Sequence, residues 1–399
     1  MKEPVGARLT GVEEVEATVE KLVAGGEGLA RFEGVPIFVP RSAPGDRLRL
    51  RLTDRKPDYG RAEIVEVLAA GPGRREPPCP YFSRCGGCDL QHLDDVLQTE
   101  LKVAAARETL ERLGGLALPA HRVVRGEAWR YRLRTQLHTA VSPERGTEVG
   151  YHARKSNELV VIDRCPILVP ELEAELPGLP KRLGPSPPRR LDLAAGAGGR
   201  IASAPPVAGL EGGELELTVG ERVYAFDARC FFQGHRGLLP RLVETVVGED
   251  GAEEREGELA FDLYAGVGLF SLALAERYRK VVAVEGDRIA ARFARANARR
   301  NRLPGVEVVA QAVESWSKNL PEDAPRIVVD PPRAGLAPPV AKALARRPPR
   351  RLTYVSCHAT TLARDLKPLA EAFRLEQLTF LDLFPQTGHL ETVVQLYRR

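Results

Sequence analysis

Hydrophobic and polar positions alternate with period two over residues 15–23, and the run breaks at Gly25-Gly26-Glu27-Gly28. Short alternating runs follow at 35–39, at 47–52, where Arg alternates with Leu, and at 61–67. Such alternation marks half-buried strands, and the glycines between mark turns. Five short strands in so short a stretch predict a small OB-like β-barrel. Residues 70–80 are rich in Gly and Pro and read as a linker, and 94–113 carries the period of an amphipathic helix. Strand character returns over 129–162, where Arg130-Tyr131-Arg132-Leu133-Arg134-Thr135-Gln136-Leu137-His138 alternates, and again over 214–226. Between them, 166–206 is rich in Pro, Ala and Gly and predicts no definite element.

From Gln233 onward the pattern changes. A helix over 237–247 leads into strands at 259–264, 280–285, 306–310, 326–330, 351–356, 375–384 and 391–397. Helices separate the first five, and the last two form a hairpin. This is the pattern of an α/β domain with a seven-stranded, Rossmann-like, doubly wound sheet that ends antiparallel. The expected division is a barrel at 8–70, a linker with a cysteine group and a helix at 71–120, a central β domain at 121–228 and the α/β domain at 229–399.

At 399 residues the chain is too long for one ordinary domain. It has no run of eighteen apolar residues, and Met1-Lys2-Glu3-Pro4-Val5-Gly6 lacks an apolar core. No membrane span and no signal peptide are expected, and the predicted location is the cytoplasm. Net charge is +4, too small to prove nucleic-acid binding. Three local groups say more: Arg47, Arg49, Arg51, Arg55 and Lys56; Arg130, Arg132 and Arg134; and Arg346, Arg347, Arg350 and Arg351. Each is either a solvated face or a phosphate track. No obligate protein partner is implied.

Three strand ends carry chemistry. Asp262-Leu263-Tyr264-Ala265-Gly266-Val267-Gly268 runs from a strand through a Gly turn into a helix, and Glu285 ends the next strand. The glycines let the backbone approach a ligand closely, and an acid at Glu285 can bind both hydroxyls of a ribose. Only two glycines are present, so the dinucleotide fingerprint is not met, and S-adenosylmethionine suits the order better. Asp330-Pro331-Pro332-Arg333 ends a later strand. Ser356-Cys357 ends another, at the sheet edge where ligands of α/β folds bind.

A thiol there suits attack on a pyrimidine. Addition to C6 makes C5 an enolate carbon able to take a methyl group from a sulfonium, and a base must then remove the C5 proton. Cys357 supplies the thiol and Glu391 can be the base, while Asp330 can hydrogen-bond the ring or the cofactor. Adenine amine methylation favours an aromatic after the Pro-Pro, where Arg333 stands. Cytosine C5 enzymes carry a second cysteine just after the Pro, absent here. Uracil C5 is left.

The six cysteines divide in two. Cys79, Cys85 and Cys88 cluster around a Gly pair, and Cys165 is the best fourth ligand. Four thiolates suit zinc or an iron–sulfur cluster, and spacing does not choose. Cys230 reads as a plain buried thiol.

Taken together, Phe231-Phe232-Gln233, the Asp262–Gly268 turn, Asp330-Pro331-Pro332-Arg333, Ser356-Cys357 and Phe384-Pro385-Gln386-Thr387-x-His389-x-Glu391 resemble the RNA uracil-C5 methyltransferases. The likeness is greatest to bacterial 23S rRNA enzymes with a TRAM barrel and a [4Fe–4S] cluster, and it covers nearly the whole chain. It implies Cys357 as nucleophile and Glu391 as base. It implies Gln233, Tyr264, Gly266, Gly268, Glu285 and Asp330 at the S-adenosylmethionine site. It implies Cys79, Cys85, Cys88 and Cys165 as cluster ligands, which favours iron–sulfur over zinc. The implied substrate is 23S rRNA. The nearest alternative is the T-loop uridine of tRNA, against which the barrel argues because simpler tRNA enzymes often lack one. A third reading is a non-catalytic RNA-binding or assembly protein. The chain departs from the family at His235, Leu269 and His358, where Asn is usual.

Overall fold

The structure, a computed structural model, describes residues 9, 11, 13–210, 213–248 and 257–399. The amino-terminal segment on which the signal-peptide expectation rests lies outside these residues. The alternating runs close into a barrel of five strands, Glu14–Leu22, Glu27–Phe32, Val35–Pro40, Arg47–Arg55 and Gly60–Ala69. Val15, Ala17 and Val19 point inward with Leu48, Leu50 and Leu52. A slip of one residue in either strand would turn its apolar set to water. On the outer face Arg47, Arg49 and Arg51 pair with Glu16, Glu66 and Glu14. That arginine group is a solvated, ion-paired face.

The helix Asp95–Gly114 starts at Asp94, whose carboxylate accepts from the N–H groups of Val96 and Leu97, and ends at Gly115 with φ 65°. The central unit is a five-stranded antiparallel sheet in the order Ile201–Ala204, Arg190–Ala195, Arg134–Ser142, Gly146–His152, Leu159–Val161. Its first two strands come from the stretch that shows no clear pattern in the sequence. The hairpin Leu215–Val219 and Arg222–Phe226 stands apart from this sheet. Asn297 and Asn301 of the helix Arg288–Arg300 and the turn after it bond the hairpin's backbone at Ala225 and Val223.

The α/β sheet has eight strands instead of the expected seven. Their order is Val306–Ala310, Tyr278–Glu285, Gly257–Leu263, Arg326–Val329, Arg351–Ser356, Glu391–Arg398, Phe373–Leu381, His121–Val124. The added edge strand, His121–Val124, runs parallel to Phe373–Leu381. It is four residues long and mostly exposed, so no local pattern marks it. Neighbouring residues of the inner strands feed different cores: Val281 goes to one apolar cluster and Val282 to another. A strand covered on both faces has this signature. The chain order reverses between Gly257–Leu263 and Arg326–Val329, which makes that edge the switch point of the sheet.

Candidate active site

The strands Gly257–Leu263, Arg326–Val329 and Arg351–Ser356 are adjacent and parallel, so the Gly turn, Asp330 and Cys357 share one edge. Glu391–Arg398 runs antiparallel to the last of these, with Ser356 opposite Thr392. Continuing that register by one residue sets Cys357 abreast of Glu391. Gln233 Nε2 donates to Asp330 Oδ2 at 3.3 Å. Cys357 borders a pocket of about 20 Å³ shared with His358, Gly388, His389 and, from the barrel, Gly25.

The electrostatics are those of acids crowded together out of water. Burial pushes the Cys357 thiol up to about 12, with help from the charges of Glu391 and Asp330 and against the pull of Arg333. Burial raises Asp330 to about 7, against the hydrogen bond from Gln233. Glu391 is 2% exposed and its Oε1 has no partner. Burial and then the Asp330 charge hold its carboxyl well above the usual range. In the ligand-free state the thiol therefore keeps its proton at neutral pH, and ionisation of Glu391 is disfavoured. A cation brought between them favours the ionised forms of all three.

The Gly turn is built from unusual backbone. Tyr264, Gly266 and Gly268 have φ of 66°, 55° and 92°. A Cβ on Gly266 would meet nothing within 4 Å, so the turn faces open space where a ligand fits. Both carboxylate oxygens of Glu285 accept backbone N–H groups, from Gly266 at 2.7 Å and Asp287 at 2.6 Å. Each oxygen keeps a further lone pair for a ribose hydroxyl. The Tyr264 hydroxyl donates to Glu314, a residue no sequence motif marks. Asp262 is fully buried beneath the turn, accepts from the Ser271 hydroxyl and has its Oδ1 unpartnered.

The loop before Glu391 is clamped from three sides. Lys102 and Asp382 form an ion pair at 2.5 Å, with side chains 1% and 3% exposed. Thr99 donates to the other Asp382 oxygen at 2.7 Å. The N–H groups of Asp89 and Leu90 both donate to Gln386 O, and Gly388 N–H donates to Asp89 Oδ2 at 3.0 Å. A Cβ on Gly388 would meet Gly26 N of the barrel at 2.7 Å, so the two glycine turns touch. Lys102, Asp382 and Asp89 escape sequence reasoning because their partners lie far along the chain.

The three departures have structural roles. His235 is buried, stacks on Tyr131 with ring centroids 4.6 Å apart, and bonds Glu127 O. Leu269 sits in the apolar core. His358 caps the helix Ala359–Leu366, its Nδ1 accepting from Thr361 N–H.

Cys79, Cys85, Cys88 and Cys165 line one cavity of about 130 Å³ together with Arg132 and Tyr151. Burial raises all four thiols, Cys165 to about 11. Among the described residues, no three His, Cys, Asp or Glu side chains meet closely enough to hold a single metal ion. The four thiols stand around a space instead of converging on a point.

A doubly wound sheet with a Gly turn, an acid at the end of the next strand and a further acidic strand end at its switch point has the architecture of S-adenosylmethionine-dependent methyltransferases. A thiol and a buried carboxylate at the same edge are the two groups that attack on a pyrimidine would need. The chain belongs to the RNA uracil-C5 methyltransferase family. Residues 213–399 match the tRNA (Uracil-5-)-methyltransferase family and residues 8–65 the TRAM domain. The 23S rRNA (uracil(1939)-C(5))-methyltransferase RlmD of Pectobacterium atrosepticum is 36% identical over 94% of this chain and 92% of its own. Its counterpart in Klebsiella pneumoniae subsp. pneumoniae is 32% identical over 98% of both chains. The crystal structure of Pyrococcus abyssi tRNA (uracil-54, C5)-methyltransferase in complex with S-adenosyl-L-homocysteine is 25% identical. It matches with a TM-score of 0.72 over 96% of this chain and 100% of its own. Among the described residues no helix is long and apolar enough to cross a membrane.

Proposed function

We propose that this chain methylates C5 of a uridine in 23S rRNA, using S-adenosylmethionine. The observation that carries the reading is the meeting of Cys357, Glu391, Asp330 and Gln233 at one sheet edge beside the open Gly turn. Cys357 attacks C6 of the flipped base and forms a carbon–sulfur bond, and the electron pair passes to C5. Gln233 and Asp330, already joined, offer a donor and an acceptor to the polar edge of the ring. The bound donor supplies the methyl group and a positive charge that draws protons off the neighbouring acids. Glu391 then takes the C5 proton, and the C5 electron pair re-forms the double bond and expels the thiolate. Tyr264, Gly266, Gly268 and Glu285 hold the donor.

The four-thiol cavity fits a [4Fe–4S] cluster better than zinc. A zinc site needs four sulfurs, each about 2.3 Å from one point, whereas these stand around a cavity. The cluster would tie the Cys79–Cys88 loop to Cys165, and no step of methyl transfer runs through it. Iron and sulfide that disappear in Cys165→Ser, with zinc content low throughout, would support the assignment. Stoichiometric zinc in its place would end it.

The higher identity to the rRNA enzymes favours rRNA. The tRNA reading keeps one support: the Pyrococcus alignment covers so much of this chain that it includes the barrel. The barrel therefore does not separate the two substrates, contrary to the argument from sequence. The deciding experiment incubates the protein with labelled S-adenosylmethionine and unmodified 23S rRNA and tRNA transcripts, followed by nucleoside mass spectrometry. 5-Methyluridine in the rRNA alone is expected. Label confined to tRNA would move the substrate, and no label in either would refute the enzyme.

A further inference from the structure

The helix Arg288–Arg300 follows the cofactor loop and is capped by Asp287. Ala290, Ala291, Phe293, Ala294, Asn297 and Ala298 form its buried side. Arg288, Arg292, Arg295 and Arg299 recur at i, i+4, i+7 and i+11 on another side, and Arg302 in the next turn extends the row. Residues so spaced stand one above another on a helix. The row from Arg288 to Arg299 is ~16 Å long at the usual rise.

This row differs most from the barrel group, whose Arg47, Arg49 and Arg51 have glutamate partners. In the other two groups Arg350 has Asp323, and Arg132, Arg134 and Arg347 bond backbone carbonyls. Among the described residues none of the five arginines of the row has a carboxylate within salt-bridge distance, and four of them are exposed. Arg295 donates to Val308 O at 3.0 Å. Beside the row runs a groove of about 650 Å³, with Leu303, Val306 and Val308 on its floor and Arg295, Arg299 and Arg302 at its rim.

We infer that this face is a second RNA-binding surface, which tracks phosphates of rRNA outside the target loop. The inference rests on the RNA-substrate reading above. Cations stacked at helical spacing repel one another, and a polyanion relieves that cost by neutralising the row and releasing its own counterions. Guanidinium forks grip phosphate oxygens in pairs, and all five cations are Arg. The apolar floor accepts ribose and base faces of an unpaired strand. An acidic peptide adding to the edge strand Val306–Ala310 is disfavoured, because Arg295 already occupies the Val308 carbonyl.

The test replaces Arg288, Arg292, Arg299 and Arg302 with Gln and keeps Arg295. The full-length, metal-loaded protein is titrated across a salt series with a long 23S rRNA fragment and with a short hairpin bearing the target uridine. Hairpin affinity and kcat should stay as in the unaltered protein. Affinity for the long fragment should fall roughly tenfold or more, and its salt slope by about 3, at about 0.7 for each lost phosphate contact. The matching Arg→Lys variant should keep most of the slope, which separates charge loss from misfolding. An unchanged slope on the long fragment overturns the inference, and so does an equal loss on both RNAs. Tight binding of an acidic peptide that the Arg→Gln variant abolishes, with the RNA slope untouched, overturns it as well. An unaltered protein that binds neither RNA sinks the substrate reading itself, and this inference with it.

Discussion

Cys357 should be a poor nucleophile until the donor is bound. Its thiol is pushed up to about 12 from an ordinary 9.0 by burial, Glu391 and Asp330, in that order. Three units leave about a thousandfold less thiolate at any pH below 9. Alkylation by iodoacetamide, followed at the Cys357 peptide by mass spectrometry, reads this directly. The rate should climb tenfold per pH unit through pH 10 with no plateau near 9, where a free thiol levels off. Glu391→Gln removes the larger of the two charge contributions and should raise the rate without abolishing the slope, because burial remains. A donor analogue with a cationic centre in place of the sulfonium should accelerate the reaction at pH 7.5 unless it covers the sulfur. Neutral S-adenosyl-L-homocysteine should not accelerate it at all. A plateau near pH 9 in the ligand-free protein, or equal acceleration by the neutral ligand, would refute the reasoning that buried negative charge holds the proton on sulfur.

Three further outcomes follow from the same geometry. Glu391→Gln should accumulate a covalent RNA–protein adduct on denaturing gels while turnover falls by roughly 10²–10⁴, as expected for loss of a general base; near-normal turnover would remove Glu391 from that role. Burial raises Asp262 from 3.8 to about 7, so as pH climbs through that window the unfolded chain loses the proton first and the folded state loses up to about 4 kcal/mol. Asp262→Asn should therefore gain more in denaturant midpoint at pH 8 than at pH 4, and a gain independent of pH would contradict the linkage. Lys102→Met strands the Asp382 carboxylate in the core and should cost about 3–5 kcal/mol; adding Asp382→Leu should recover much of the lost melting temperature, and no recovery would mean the ion pair is not the cause.

What could be read from the sequence was local and periodic. The barrel strands and the parallel strands announce themselves because one face, or both, is buried along their whole length, as Val15, Ala17 and Val19 or Val281 and Val282 illustrate. The stretch 166–206 hides two strands of the central sheet because Pro and Gly interrupt the run and only Leu191 and Leu193 keep its beat. His121–Val124 hides because its pairing with Phe373–Leu381 depends on a distant segment. The chemistry at strand ends was legible for the same local reason: Cys357, Asp330 and the Gly turn each terminate a recognisable strand. Glu314 under Tyr264, and the backbone ties of Glu285, were not legible, since a single polar residue in a one-turn helix or at a strand end carries no period that foretells what it reaches. The arginine row of Arg288–Arg300 was not among the groups picked out from the sequence, and the absence of a carboxylate beside it among the described residues is a property of the fold alone.

Asp89 shows how the loop before Glu391 depends on parts remote in the chain. It follows Cys88 directly, so the cysteine loop sets its position. One carboxylate oxygen accepts from Gly388 N–H of that loop, and the other from Arg154 of the central unit at 2.5 Å. Arg154 also bonds Glu27 of the barrel at 3.0 Å. All three charged side chains are about four-fifths shielded or better, so salt screens this network less than an exposed pair. Four units of the chain thus meet within two residues of His389, on the wall of the pocket that holds Cys357. Gly25 of the barrel and Gly388 both line that pocket, so its shape depends on this seam as well as on the α/β fold. Loosening the seam should cost turnover on RNA while leaving donor binding at Tyr264–Gly268 intact, because no bond of the network touches the donor's turn. The cysteine loop is therefore tied to the far end of the chain through geometry: what holds Cys88 in place also holds Asp89 and, through Gly388, the loop that leads into Glu391.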